Sequence, residues 1–236
     1  NVLSLNGKSE TFVSVPGESV RGEESLSITG WIYLNSAERG QIFFDFGKNG
    51  TSHFFAAPAG TTDREGFHAQ ITDKSGSTIV GSPSLVAGKW YHLAVVINVP
   101  AGTMSTYMNG MLFGEARNIQ AGPQQLFDNN TGENNKLYLG RSQDQDNAGL
   151  NAKLHDFRIY RVPLSEKQIA RIHENSLKKE TPSVRTRNEP DRNLPKFPET
   201  MPQLYNAYLL AVPDIEVETP VGCLPRLPVY LKGVYN

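Results

Sequence analysis

Apolar and polar residues alternate with a period of two through much of the first 160 positions, which predicts β-strands. In 25–34, Leu26, Ile28, Gly30, Ile32 and Leu34 fall on one face, and Ser27, Thr29, Trp31 and Tyr33 on the other. In 41–46, Ile42, Phe44 and Phe46 oppose Gln41, Phe43 and Asp45; in 67–72, Phe67, Ala69 and Ile71 oppose His68, Gln70 and Thr72. Residues 90–97 carry apolar groups on both faces, as suits a central strand covered from both sides. Asn109-Gly110 between two apolar runs predicts a tight hairpin, because a type I′ turn needs positive φ at both central positions. Phe54-Phe55 reads as buried strand or, if exposed, as an interdomain contact. Only at 166–174 does the pattern turn helical. Ser165 and Gln168 form a capping box there, and Ile169 and Ile172 share one face.

After the helix the pattern breaks. Residues 178–202, KKETPSVRTRNEPDRNLPKFPETMP, are rich in charge and proline and nearly free of aliphatic side chains, so they cannot build a core. We therefore expect a β domain at 1–175, an extended linker at 176–202 and a partial β-unit at 203–236. Fifteen prolines and 21 glycines among short apolar runs agree with a turn-rich all-β chain. A formal net charge of −1 without long charged runs gives no support to nucleic acid as a partner, nor does any apolar run suffice to enter a membrane. Cys223 is the single cysteine, so no intrachain disulfide can form. The chain opens at Asn1 and stops in what reads as mid-strand. The expectation is a piece of a longer processed protein, with any signal peptide outside it.

Several phrases then point to a family. They are Trp31 in its strand, Gly88-Lys89-Trp90-Tyr91-His92, Asn109-Gly110, Gly140-Arg141-Ser142, and Asp156-Phe157-Arg158-Ile159-Tyr160 before the helix. Their order over roughly residues 2–174 resembles the laminin-G-like, concanavalin A-like jelly-roll module. The resemblance implies an all-β sandwich with one short C-terminal helix. It also implies a secreted, periplasmic or cell-surface setting beside a glycan-degrading enzyme. The family usually carries a pair of acids before the final strand; here the first is His155, which weakens an inherited calcium site at Asp156. A second stretch, with Val217, Thr219, Gly222, Pro225, Leu227, Pro228 and Tyr235, resembles the opening of a bacterial immunoglobulin-like domain.

Fold does not name function, so chemistry must come from residues. Hydrolases on this fold resemble one another in placing carboxylates at alternate positions of one strand, where two acids can flank a glycosidic bond. No such run occurs in 1–174; Asp214, Glu216 and Glu218 alternate beyond the linker and read as a solvated strand face. Calcium could be held by Asp144 and Asp146, two apart in a loop with Asn147, together with Asp156; an Asx-rich turn explains the same residues. For a polysaccharide or other glycan, Asp45, His53, Arg64, His68 and Gln70 are the candidate contacts, being polar residues that alternate with core positions or lie on loops. Trp31 with Tyr33, and Trp90 with His92, would form a stacking platform if their faces are open. If a helix covers them, they are core. Three readings follow: a non-catalytic carbohydrate-binding module, a structural spacer that packs on neighbouring domains of the same chain, and a hydrolase with an unrecognised acid pair.

Overall fold

The computed structural model describes residues 2–74, 76–119, 121–126, 135–144 and 147–177, with the backbone of 209–211 and 234–235. The chain divides into two units, Asn1–Ser176 and Leu177–Asn236. In the second, Leu209–Ala211 pairs antiparallel with Val234–Tyr235. Of the linker expected at 176–202, Ser176 and Leu177 belong to the helix; its remainder, the acids 214, 216 and 218, and most of the immunoglobulin-like phrase lie outside the described residues.

The first unit is a sandwich of two six-stranded antiparallel sheets. Its strands begin with β1 (Leu3–Asn6), β2 (Val13–Val15), β3 (Ser25–Leu34), β4 (Phe44–Asn49), β5 (Ser52–Ala57) and β6 (His68–Asp73). They continue with β7 (Gly76–Gly81), β8 (Trp90–Asn98), β9 (Thr103–Met108), β10 (Met111–Arg117), β11 (Lys136–Leu139) and β12 (Asn151–Tyr160). Sheet A runs β1-β12-β3-β8-β9-β10, and sheet B runs β2-β11-β4-β5-β6-β7. Besides a 3-10 turn at Gly17–Val20, two helices occur among the described residues: α1 (Pro123–Leu126), which sequence reading did not anticipate, and α2 (Glu166–Leu177).

Period-two alternation does the folding. Leu26, Ile28 and Ile32 of β3 face Ile97, Val95 and Tyr91 of β8 across the sheet, and all turn inward. Phe44, Ala56 and Ala69 occupy one register row of sheet B, Phe46, Phe54 and Ile71 the next, and both rows meet sheet A in the core. The predicted hairpin is present: Met108 pairs with Met111, and Asn109 and Gly110 have φ of 51° and 81°. The capping box also forms, with the Ser165 N–H donating to Gln168 Oε1 (2.8 Å) and the Gln168 N–H to Ser165 Oγ (3.4 Å).

Two local departures reshape the faces. The alternation expected over 41–46 breaks before β4: Phe43 and Phe44 both enter the core, while Ile42 joins Phe55 and Ala57 on the opposite side of sheet B. The Phe43 N–H still bonds the Ala56 carbonyl (2.8 Å), so an irregular step is absorbed where sheet pairing starts. In β12 a bulge between His155 and Arg158, with Asp156 at φ 52°, swings Phe157 against Phe43 at 5.7 Å between ring centres. Gly30 makes room for it, since a Cβ there would lie 3.1 Å from Phe43 Cζ and 3.4 Å from Phe157 Cα.

Helix α2 covers part of the outer face of sheet A. Trp31 Nε1 donates to Ser176 Oγ (3.0 Å), and the rings of Trp31, His92 and His173 gather 5.4–5.6 Å apart. Fully buried Ser27 ties down the approach to the helix: its hydroxyl donates to the Val162 carbonyl (2.7 Å) and accepts from the Leu164 N–H (2.8 Å). Ser27→Ala would strand both backbone groups, and we expect it to cost about 1–3 kcal/mol in denaturant titration. A loss within about 0.5 kcal/mol, as at an ordinary surface site, would show that the bridge is dispensable.

Candidate functional site

The outer face of sheet B collects the polar residues that alternate with the core. Asp45, Phe55, Gln70 and Ile79 share one cross-strand row; His53, Thr72 and Ser77 share the next; His68 stands beside Gly81 on the other flank. Arg64, in the loop before β6, lies against Gly81: its Nη2 is 3.1 Å from where a Cβ would stand. All five residues expected to contact glycan are therefore on this one face or its rim.

They are not equivalent. Asp45 is fully buried and spent: Oδ1 accepts from His53 Nδ1 (2.9 Å), while Oδ2 accepts from Ser142 Oγ (3.1 Å) and the Gln143 N–H (2.8 Å). Its role is to position. The bond from Nδ1 to the carboxylate fixes the orientation of the His53 ring. The ring stacks at 4.9 Å on Phe55, which meets His68 edge-on at 6.0 Å. Gln70 is clamped, its amide donating to Thr72 Oγ1 (2.9 Å) and Ser77 Oγ (3.0 Å). His68 is fully buried, with Nδ1 on the Gly66 carbonyl at 3.2 Å and Nε2 without a partner among the described residues. Burial is the main cause of its lowered pKa; the Gly66 bond opposes the shift and Arg64 reinforces it. A chemically useful face results: one oriented imidazole, one oriented amide, one exposed guanidinium and a half-exposed isoleucine.

Beside this face, Arg141, Asp144, Asn147, Ala148 and Gly149 line one side of a cavity of about 380 Å³. Ser9, Glu10 and Phe12 line its other side. Sequence reading missed this group. Residues 9–12 and 141–149 are far apart in the chain, and Gly140-Arg141-Ser142 signals only the family pattern.

Two of the expected calcium ligands, Asp144 and Asp156, line different cavities. Asp144 lines this cavity, Asp156 a separate one with Val2, Leu3 and Leu139, and Asp146 lies outside the described residues. Both Asp156 oxygens hold Arg158, at 2.9 and 2.7 Å. Among the described residues no three His, Cys, Asp or Glu side chains gather to hold a metal ion.

The aromatic platform is split. Trp31 and His92 lie under α2, whereas Trp90 is 38% exposed and packs on Tyr33 at 5.6 Å. Phe54 and Phe55 are both buried, on opposite faces of sheet B.

With the two sheets and this face in view, the class is that of a concanavalin A-like jelly roll. The chain belongs to the family described as the concanavalin A-like lectin/glucanases superfamily, whose laminin-G model matches residues 6–170. No curated protein matches it. Among solved structures, the chain is similar to the carbohydrate-binding module CBM40 of the Ruminococcus gnavus IT-sialidase, bound to α2,3-sialyllactose. That likeness has a TM-score of 0.58 at 17% identity, over 73% of this chain and 96% of that one. It is also similar to domain 4 of AbnA, a GH43 extracellular arabinanase from Geobacillus stearothermophilus, in complex with arabinotriose (TM-score 0.55, 17% identity, 73% and 87% coverage). A third is the heptameric SAP-like pentraxin of Limulus polyphemus (TM-score 0.50, 17% identity, 73% and 81% coverage). At these identities the likeness is one of fold.

Proposed function

We propose that the jelly roll is a non-catalytic carbohydrate-binding module of a secreted or surface-located bacterial glycan-degrading protein. The observation that carries the reading is the outer face of sheet B, where His53 and Gln70 are oriented by Asp45, Thr72 and Ser77 beside Arg64. Sugars are held by planar polar groups fixed in advance, because a rigid donor or acceptor loses little freedom on binding. Similar folds bound to sialyllactose and to arabinotriose make glycan the natural ligand class for such a face. The module would act by avidity, with a weak site raising the local concentration of polysaccharide near a catalytic neighbour. No helix among the described residues is long and apolar enough to cross a membrane. If the 203–236 segment opens an immunoglobulin-like domain, it would serve as the next module along the chain.

The test is affinity electrophoresis against a panel of soluble polysaccharides, followed by calorimetry on the best ligand. His53→Ala and Gln70→Ala should each weaken binding about tenfold, the worth of one or two oriented hydrogen bonds. The burial of Asp45, His53 and His68 favours a competing spacer reading, in which these polar groups only support the fold. Folded protein that binds no glycan would establish that alternative.

A further inference from the structure

The outer face of sheet A carries a strip of aromatic and polar side chains beside the row that α2 covers. Ser4, Lys153, Tyr33 and Trp90 form one cross-strand row over β1, β12, β3 and β8. The next row holds Trp31 and His92 beneath the helix, whereas Trp90 stays 38% exposed and Tyr33 half-buried. The rings of Tyr33 and Trp90 pack at 5.6 Å with their planes inclined by 56°, so each offers a face of its own. Lys153 is exposed, and its Nζ lies over the Tyr33 ring at 5.1 Å from the centre. Among the described residues this ammonium has no hydrogen bond or ion pair, so its N–H donors remain for a ligand. At the end of the strip Asn35 Nδ2 donates to Asn151 Oδ1 (2.9 Å), which fixes both amides. A sheet face turned to water is ordinarily polar, and an exposed indole there gains nothing until something apolar covers it.

We propose that this strip is a second glycan site, on the side of the sandwich away from His53 and Gln70, and that it takes an acidic sugar, a uronate or a sialate. The proposal goes beyond the sheet B reading, from which it takes only the ligand class. The C–H face of one sugar unit would cover Trp90, the carboxylate would meet Lys153, and hydroxyls would reach the Asn35–Asn151 pair. Trp90 and Lys153 stand two strand spacings apart, about 10 Å, so a ligand of two or three units can touch both. None of the six side chains is acidic, and Lys153 is their one charge. A carboxylate therefore meets attraction and no repulsion within the strip. An ammonium–carboxylate bond is stronger than a neutral one, but its exposure to water keeps the preference to about fivefold.

The experiment is calorimetric titration of the whole chain with trigalacturonate and α2,3-sialyllactose, and with cellotriose and maltotriose as neutral counterparts. We expect an acidic trisaccharide to bind about fivefold more tightly than either neutral one. Lys153→Met should erase that preference, and Trp90→Ala should weaken the acidic binding about tenfold. The double variant His53→Ala with Gln70→Ala should leave this binding unchanged. If Trp90→Ala disturbs the fold, Lys153→Met, at an exposed side chain, decides alone. Acidic binding that needs His53 and Gln70 but ignores Trp90 and Lys153 would overturn the strip and leave the sheet B reading standing. Neutral sugars bound as tightly as acidic ones would overturn the acidic ligand and with it the proposal. Acidic binding that follows Lys153, with His53 and Gln70 silent toward every glycan, would sustain the strip and sink the sheet B reading. No binding to any of the four would overturn the strip, and no binding to the polysaccharide panel besides would overturn both.

Discussion

Phe44→Ala is expected to remove about 3–5 kcal/mol of unfolding free energy, a fifth or more of the roughly 5–15 kcal/mol that a domain possesses. Phe44 is fully buried at the middle of sheet B, on the strand flanked by β5 and β11. Its ring lies 5.2 Å from those of Phe46 and Phe54 and 5.8 Å from that of Phe43. These neighbours come from paired strands and cannot close on the void, so the cost includes a residual cavity as well as lost burial. Phe44→Leu, nearer in volume, should lose much less. Denaturant titrations of the two variants check this, and a Phe44→Ala loss below about 1 kcal/mol would mean that the site repacks.

The sheets were largely legible because alternation is a local signal and strand register follows it. Residues 25–34 and 67–72 take the faces their pattern assigns, and Asn109-Gly110 forms the turn its backbone freedom demands. The failures come where a strand does something that a period of two cannot encode. Ile42 was grouped with Phe44, yet the irregular step at Phe43 puts it with Phe55 and Ala57. The bulge at Asp156 turns Phe157 inward, which no spacing announces.

The candidate site was legible by half for the same reason. Asp45, His53, His68 and Gln70 alternate with core residues, so a correct face assignment was enough to bring them together. Their exposure was not readable. Asp45 disappears under Ser142 and Gln143, nearly a hundred residues later in sequence, and becomes a support for His53. The Phe12–Arg141–Tyr138 stack is likewise built from two distant loops and β11. Trp31 and Trp90 have the same sequence character, but their fates differ because α2 covers only the first.

The acid sensitivity of the sandwich should be set beneath that helix. His92 is buried, its Nδ1 has no partner among the described residues, and its pKa falls from 6.5 to about 4. Burial is the main cause. The neighbouring His173 of α2 and Arg158 of β12 push the same way, and Asp156 of β12 opposes them. His173 and His68 are also lowered, chiefly by burial. In the unfolded chain such a ring takes up its proton near pH 6.5, while in the folded protein His92 refuses it until about pH 4. The stability it contributes is therefore complete above pH 6.5 and is lost as the pH falls toward 4, since the unfolded state then binds more protons. At about 1.4 kcal/mol per unit, His92 alone should remove roughly 3 kcal/mol across that window, with His68 and His173 adding to it. His92→Phe keeps an aromatic ring against Trp31 and removes the titration. Unfolding free energies at pH 7, 6, 5 and 4 should fall steeply for the natural chain and clearly less for the variant. Parallel curves would mean that acid acts elsewhere, and that the packing of α2 on sheet A is indifferent to this histidine.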